Sequence, residues 1–400
     1  MLILSCELNL RQTDYADISV FQSAIPHTSD KSKSNNTRDI HMNTSSVQPR
    51  VAGISTVVPP YSFGQETAIE AARKWLSTGG EPELPAARTA QVFQNAGVQR
   101  RHSVIPVEEM LMEKGFPERN ALYSKYARIL GEKALKSVFE KTGINPYEIN
   151  LFITVSCTGF MIPALDAYLI NRFPFRNNVR RLPITELGCA AGVSSLIMAG
   201  DYIRAYPDAK VLILTLELCT LNMQPTDKSA DHIISTAIFG DGAAAAIVTG
   251  GSGEGGLHMI KSDNRFYPGT IEFMGYDVES TGFHIFLSPH ISKFIGNNIA
   301  PQVESVLGDA GLEIGDIDAW LFHPGGSRVL KSIENGLGID GAKLRDSAGV
   351  LRDYGNMSSA TIFFIIDSYM RNKDNRSGSY QVVGAVGPGF GLDTILTQWK

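Results

Sequence analysis

Two stretches 168 residues apart carry the same succession of signals: SVFEKTGINPYEINLFITVSCTG from 137 to 159, and SVLGDAGLEIGDIDAWLFHPGG from 305 to 326. In each, a helical segment stops at a glycine (Gly143, Gly311), a turn flavoured with Ile, Asp and Glu follows, and an apolar strand runs into a loop of small residues. Farther on, GCAAGVSSLIMAGDYI from 188 and GNMSSATIFFIIDSYM from 355 align at an offset of 167, each a glycine, a polar residue and a helix rich in small side chains. Two motifs that hold nearly one offset mark an internal duplication of strand-helix units. Whatever the first half of the chain builds, the second half must build again.

The short apolar runs VLILTLEL (211–218) and AAAAIVTG (243–250) are bounded by breakers and suit strands buried between helices. The expected fold class is therefore α/β in two similar halves, 51–255 and 256–400. Residues 1–50 are dominated by Ser, Thr, Asn, Asp and Lys from position 24 onward, a composition that does not bury enough apolar surface to stay ordered. They are expected to be a disordered extension, with Met42 a better translation start than Met1. Small residues along the two duplicated helices, among them Ala190, Gly192 and Ser194 in one and Ser358, Ser359 and Ala360 in the other, would let them pack closely between sheets.

The chain has 400 residues, 43% of them hydrophobic, which is enough for a deep interior site. A net charge of -5 without a basic stripe argues against a nucleic-acid partner. Cys6, Cys157, Cys189 and Cys219 are too few and too scattered for a disulfide framework or a metal site, so free thiols in a reducing cytoplasm are expected. No run approaches the roughly 18 apolar residues of a membrane span, and the opening MLILSCELNL is interrupted by Glu7 and lacks a preceding positive charge.

Three residues combine into a candidate site. Cys189 falls at the expected first turn of a helix, where the dipole favours thiolate; a small buried cysteine that only fills space is the competing reading. His323 ends the strand DAWLF and projects from a carboxyl strand end, although a histidine before proline often serves structure alone. Asn356 precedes a helix and would also make an N-cap. Cys189 and Asn356 occupy equivalent spots in the two halves and are expected to face each other. Together the three make a Cys-His-Asn set.

GCAAG, IFGDGAAAAIV, FHPGG, YGNMSSAT and GAVGPGFGLDTI resemble the chalcone synthase-like type III polyketide synthases of the thiolase superfamily, from about Val51 to the C-terminus. The resemblance implies a duplicated, five-layered α/β/α/β/α thiolase-like fold, a homodimer, acyl-CoA and malonyl-CoA as substrates, and neither metal nor redox cofactor. It implies that Cys189 carries the acyl group, that His323 keeps the thiolate charged by ion pairing, and that His323 and Asn356 hold the malonyl thioester oxygen. Phe239 and Phe283 match the two phenylalanines between CoA tunnel and cavity. Cys157, Thr158, Cys219, Asn222 and Ser358 match cavity-lining positions, and Ile162 matches the residue that reaches into a partner's cavity. For the CoA phosphates the alignment offers Arg88, with Gln91 and Asn95 where basic residues are usual; Arg328, or the pair Arg100 and Arg101, would supply the missing charge. Val386 stands where the family usually has Phe.

Cys157 and Cys219, with ELCTLNMQPTD and FQNAGVQRRH, look like bacterial members. Two groups fit: synthases that extend acyl starters into alkylpyrones or alkylresorcinols, the preferred reading, and tetrahydroxynaphthalene synthases that use malonyl-CoA alone. A single-condensation ketoacyl-ACP synthase is disfavoured by FHPGG and VGPGFGLDTI. A hydroxymethylglutaryl-CoA synthase would need a catalytic glutamate, and Glu186 stands too close to Cys189 for that role. A non-catalytic binder on this scaffold is the remaining alternative.

Overall fold

The computed structural model describes residues 47–78, 82–251, 253, 255–373 and 375–400. The proposed start at Met42, Cys6 and the expected disorder of the first 46 residues lie outside them. Residues 47–50, placed in the extension by composition, belong to the folded unit instead. Arg50 opens the first strand, and the Pro49 carbonyl accepts a hydrogen bond from the Met259 amide at 2.8 Å.

Nine strands form one sheet: β1 (Arg50–Val57), β2 (Leu151–Val155), β3 (Arg180–Ile184), β4 (Lys210–Leu218), β5 (Asp241–Thr249), β6 (Leu257–Phe266), β7 (Ile317–Phe322), β8 (Tyr380–Gly387) and β9 (Gly391–Trp399). Their order is β7-β8-β9-β6-β1-β5-β4-β2-β3. The duplication is visible in the pairing. In the first half β1/β5 and β5/β4 are antiparallel and β4/β2 parallel; in the second, β6/β9 and β9/β8 are antiparallel and β8/β7 parallel. The halves are sewn together where β1 meets β6, through Arg50↔His258 and Val51↔Leu257.

The repeat extends to the turns. Gly143 and Gly311 both take left-handed φ, +68° and +70°, and each is followed by a single 3-10 turn closed by a capping box. Glu148 accepts from the Asn145 amide, and Asp316 from the Glu313 amide.

Strands buried on both faces split their side chains by parity. In β4, Leu212, Leu214 and Leu216 pack outward against a long helix (Phe116–Thr142), while Val211 and Ile213 face inward. The inner layer is made of two helices, Ala191–Ala205 and Thr361–Arg371, which share one apolar cluster with both half-sheets. Outside the second half-sheet lie Ile291–Gly308 and Ser327–Leu337, packed on Trp320, Phe322 and Val382. The layers thus run α/β/α/β/α.

The inner helices approach closely because one carries Gly192. A methyl group there would run into the Ser359 carbonyl oxygen and lie 2.6 Å from Ile362 Cγ2. Gly192→Ala is expected to cost about 1–3 kcal/mol through overpacking. A melting temperature equal to the parent's would show that this seam yields freely.

Candidate active site

The inner helices also bring Cys189 and the turn that follows Asn356 together. Each is entered through a left-handed glycine (Gly188, φ +52°; Gly355, φ +76°) and a short 3-10 turn, Gly188–Ala190 and Ser358–Ala360. Cys189 sits on the first of these turns, just before its helix, and Asn356 lies just ahead of the second. Cys189 Sγ donates to Ser358 Oγ at 3.5 Å. Ser358 is the one non-glycine residue with positive φ, +45°, among those described, so the backbone is strained at a residue that touches Cys189. Pro388 of the VGPGFG loop packs against Gly188, leaving no room there for a side chain. Val386, on β8 just ahead of that loop, is buried.

Asn356 is 2% exposed and fastened at both ends of its amide. Its Oδ1 accepts from the Ser358 amide at 2.8 Å, and Nδ2 donates to the Gly325 carbonyl at 2.9 Å, tying it to the HPGG loop. Its second amide hydrogen acts on Cys189, favouring the thiolate. His323 extends β7, its amide donating to the Gly384 carbonyl at 2.8 Å. Its ring is buried, and neither ring nitrogen has a hydrogen-bond partner among the described residues. Phe239 forms a bridge with Asn356: the Asn356 amide donates to Ile238 O, and the Gly240 amide to Asn356 O, both at 2.9 Å.

Burial works against the expected thiolate-imidazolium pair at both residues. Burial pushes the Cys189 thiol up to about 11, and nearby Glu217 adds to that push, while the Ser358 hydroxyl and the Asn356 amide pull back only in part. Burial pulls His323 down to about 4. Desolvation is the largest cause at both residues, and it favours the neutral form of each.

Glu217 is the residue that sequence reasoning missed. It lies on β4, wholly buried. It accepts hydrogen bonds from the Cys157 amide (3.1 Å), Thr158 Oγ1 (2.8 Å) and Ser359 Oγ, and Cys157 Sγ approaches it at 3.6 Å. Burial raises its carboxyl to about 7 in spite of those bonds. A lone carboxylate inside the apolar run VLILTLEL was the available signal. Cys157 Sγ also lies 3.5 Å from Ser358 Oγ, so Ser358 touches both Cys157 and Cys189.

Of the remaining candidates, Asn222 bonds the Thr158 carbonyl. Cys219, Asn222, Phe239 and Phe283 line one largely apolar cavity, joined by Tyr276. The Phe283 ring packs against Phe116, Phe160 and Tyr276, each at 5.5 Å. Ile162 is 100% exposed beside exposed Phe160. Arg88 and Arg328 are both exposed, on helices that meet where Ser327 Oγ donates to the Asn95 carbonyl at 2.6 Å. Arg101 is a correction: strand alternation turns Arg100 outward and Arg101 inward, where it is 2% exposed and out of reach of surface phosphates. Glu186, the rejected glutamate, is exposed.

Comparison with known proteins agrees with this geometry. Residues 258–399 match the family "Chalcone and stilbene synthases, C-terminal domain", and residues 89–256 match "FAE1/Type III polyketide synthase-like protein". The chain is 33% identical to the 1,3,6,8-tetrahydroxynaphthalene synthase of Streptomyces coelicolor over 86% of its length and 91% of the relative's. It is 32% identical to a putative chalcone synthase of Bacillus subtilis, over 88% and 98%. The solved structure of the Streptomyces coelicolor enzyme superposes with a TM-score of 0.83, covering 88% of this chain and 99% of that one. A type III polyketide synthase domain from Dictyostelium, 27% identical, gives 0.82 over 88% and 99%. The chain belongs to the chalcone and stilbene synthase-like type III polyketide synthases and is an acyltransferase.

Proposed function

We propose that this synthase loads an acyl group from a CoA thioester onto Cys189 and extends it with malonyl-CoA, closing the product as an alkylpyrone or alkylresorcinol. The observation that carries this reading is the largely apolar cavity that Phe239, Phe283, Cys219 and Asn222 line together, a lining suited to an alkyl chain. As Cys189 attacks the starter thioester, its proton passes to neutral His323 and CoA leaves. Loss of carbon dioxide from malonyl-CoA leaves an enolate whose oxygen accepts from His323 and from the second Asn356 amide hydrogen. Its carbon attacks the Cys189 thioester, and the cysteine sulfur departs. Each step moves only protons, carbon and sulfur, so the reading calls for no resident metal or redox cofactor.

The fully exposed Ile162 supports a homodimer in which it is covered by a second copy. Arg88 and Arg328, on adjoining helices, are proposed to meet the CoA phosphates. Among the described residues no helix is long and apolar enough to cross a membrane, and a cytoplasmic site of action is part of this proposal. A second reading, tetrahydroxynaphthalene synthesis from malonyl-CoA alone, is favoured by the names of several relatives. Incubation with malonyl-CoA, with and without acyl-CoA starters from acetyl to palmitoyl, separates the two. Pyrones or resorcinols formed only with added starters are expected; a naphthalene product from malonyl-CoA alone would replace the first reading with the second.

A further inference from the structure

The cavity lined by Cys219 and Asn222 is walled as well by two helices, Gln65–Leu76 and Ala86–Asn95, through Ala68, Ala72, Trp75 and Phe93. Ala68, Ala72 and Trp75 are spaced to share one helix face. Trp75 is held in place by its Nε1, which donates to the Pro225 carbonyl at 2.8 Å. One lining residue is a cation. Arg101 is 2% exposed, and no Asp or Glu shares the cavity wall with it. Burial alone pulls its guanidinium down to about 10, so it remains charged at neutral pH.

What holds Arg101 is neutral throughout. Nη2 donates to Gln65 Oε1 at 3.1 Å and to the Ala237 carbonyl at 2.9 Å. The rings of Phe63 and Phe93 lie 5.8 and 6.0 Å from the guanidinium carbon. Nε is buried and has no hydrogen-bond partner among the described residues. The side chain is therefore positioned, but its charge is not balanced. A buried charge without a counter-ion is costly unless an anion completes it.

We propose that this cavity takes a chain ending in a carboxylate, its apolar stem against Ala68, Ala72 and Trp75 and its carboxylate on Arg101. Two sources carry that chemistry: an acyl thioester with a second, terminal carboxylate, which would be a starter, and a free carboxylic acid, which would be an inhibitor or a regulator. The first rests on the acyl-primed reading above. The binding site does not.

The test is calorimetric titration of the full chain with octanoate and with its neutral counterpart octanamide. Octanoate is expected to bind about 10-fold tighter or better, the scale of a charge-assisted pair. That preference should disappear in Arg101→Gln and survive in Arg101→Lys. Equal binding of the two probes, no binding of octanoate, or a preference that persists in folded Arg101→Gln would each overturn the site. If Arg101→Gln does not fold, the comparison on the parent protein still decides. Turnover with adipoyl-CoA and hexanoyl-CoA then distinguishes the sources. An adipoyl preference assigns the thioester; no preference, with octanoate binding intact, assigns the free acid. Failure of both thioesters to prime would sink the acyl-primed reading while leaving the titration to judge the site.

Discussion

His323→Gln is expected to lower turnover by about 100-fold or more, the usual loss when a positioned proton acceptor is removed, and to leave thermal unfolding close to the parent's. The two halves of that expectation have separate grounds. The histidine ring makes no side-chain hydrogen bond within the described protein, and its backbone tie to Gly384 survives any substitution. Replacing the ring by an amide of similar bulk therefore breaks no side-chain hydrogen bond of the parent. Asn356→Ala lacks this separation. It strands the Ser358 amide and the Gly325 carbonyl, at about 1–3 kcal/mol for each buried group left unpaired. Lost activity in Asn356→Ala mixes chemistry with stability; in His323→Gln it reports chemistry. Turnover within a few-fold of the parent, measured with the same starter and malonyl-CoA, would remove His323 from the mechanism.

The second large effect is in pH. Alkylation of Cys189 by iodoacetamide in the substrate-free enzyme is expected to rise about tenfold per pH unit, roughly 100-fold from pH 7 to pH 9, because only thiolate reacts and its fraction grows with pH below the pKa. With the thiol pushed up to about 11, the rise continues to the top of that range without a plateau. A preformed ion pair would give the opposite, a rate flat across neutral pH. Peptide mass spectrometry has to resolve the sites, since Cys157 and Cys219 are also free. Burial lifts both of their thiols well above the ordinary range, so Cys189 should label first. A rate independent of pH between 7 and 9 would restore the ion pair.

Much of this was legible in the chain because the duplication writes each element twice. The capped turns at 145–148 and 313–316, the glycines that open both inner helices and the facing of Cys189 with the Asn356 turn all follow from one offset. Other features were hidden for physical reasons. The ionisation of Cys189 is set by how much water the fold removes, which no local motif encodes. Glu217 is one letter in a hydrophobic strand, and its importance comes from Cys157, Thr158 and Ser359, brought to it from elsewhere in the chain. The pair at 100 and 101 looked like two surface charges until strand parity sent one of them inside.

The bridge between Phe239 and Asn356 makes the cavity's aromatic wall and the proposed donor amide a single mechanical part. Two main-chain hydrogen bonds, from the Asn356 amide to Ile238 and from the Gly240 amide to Asn356, transmit any shift of the backbone at 239 to the donor. Remodelling the wall for a bulkier starter is therefore a different problem at each of its two phenylalanines. At 283 the ring can be exchanged on its own strand, whereas at 239 only changes confined to the side chain leave the amide in register with the chemistry it serves.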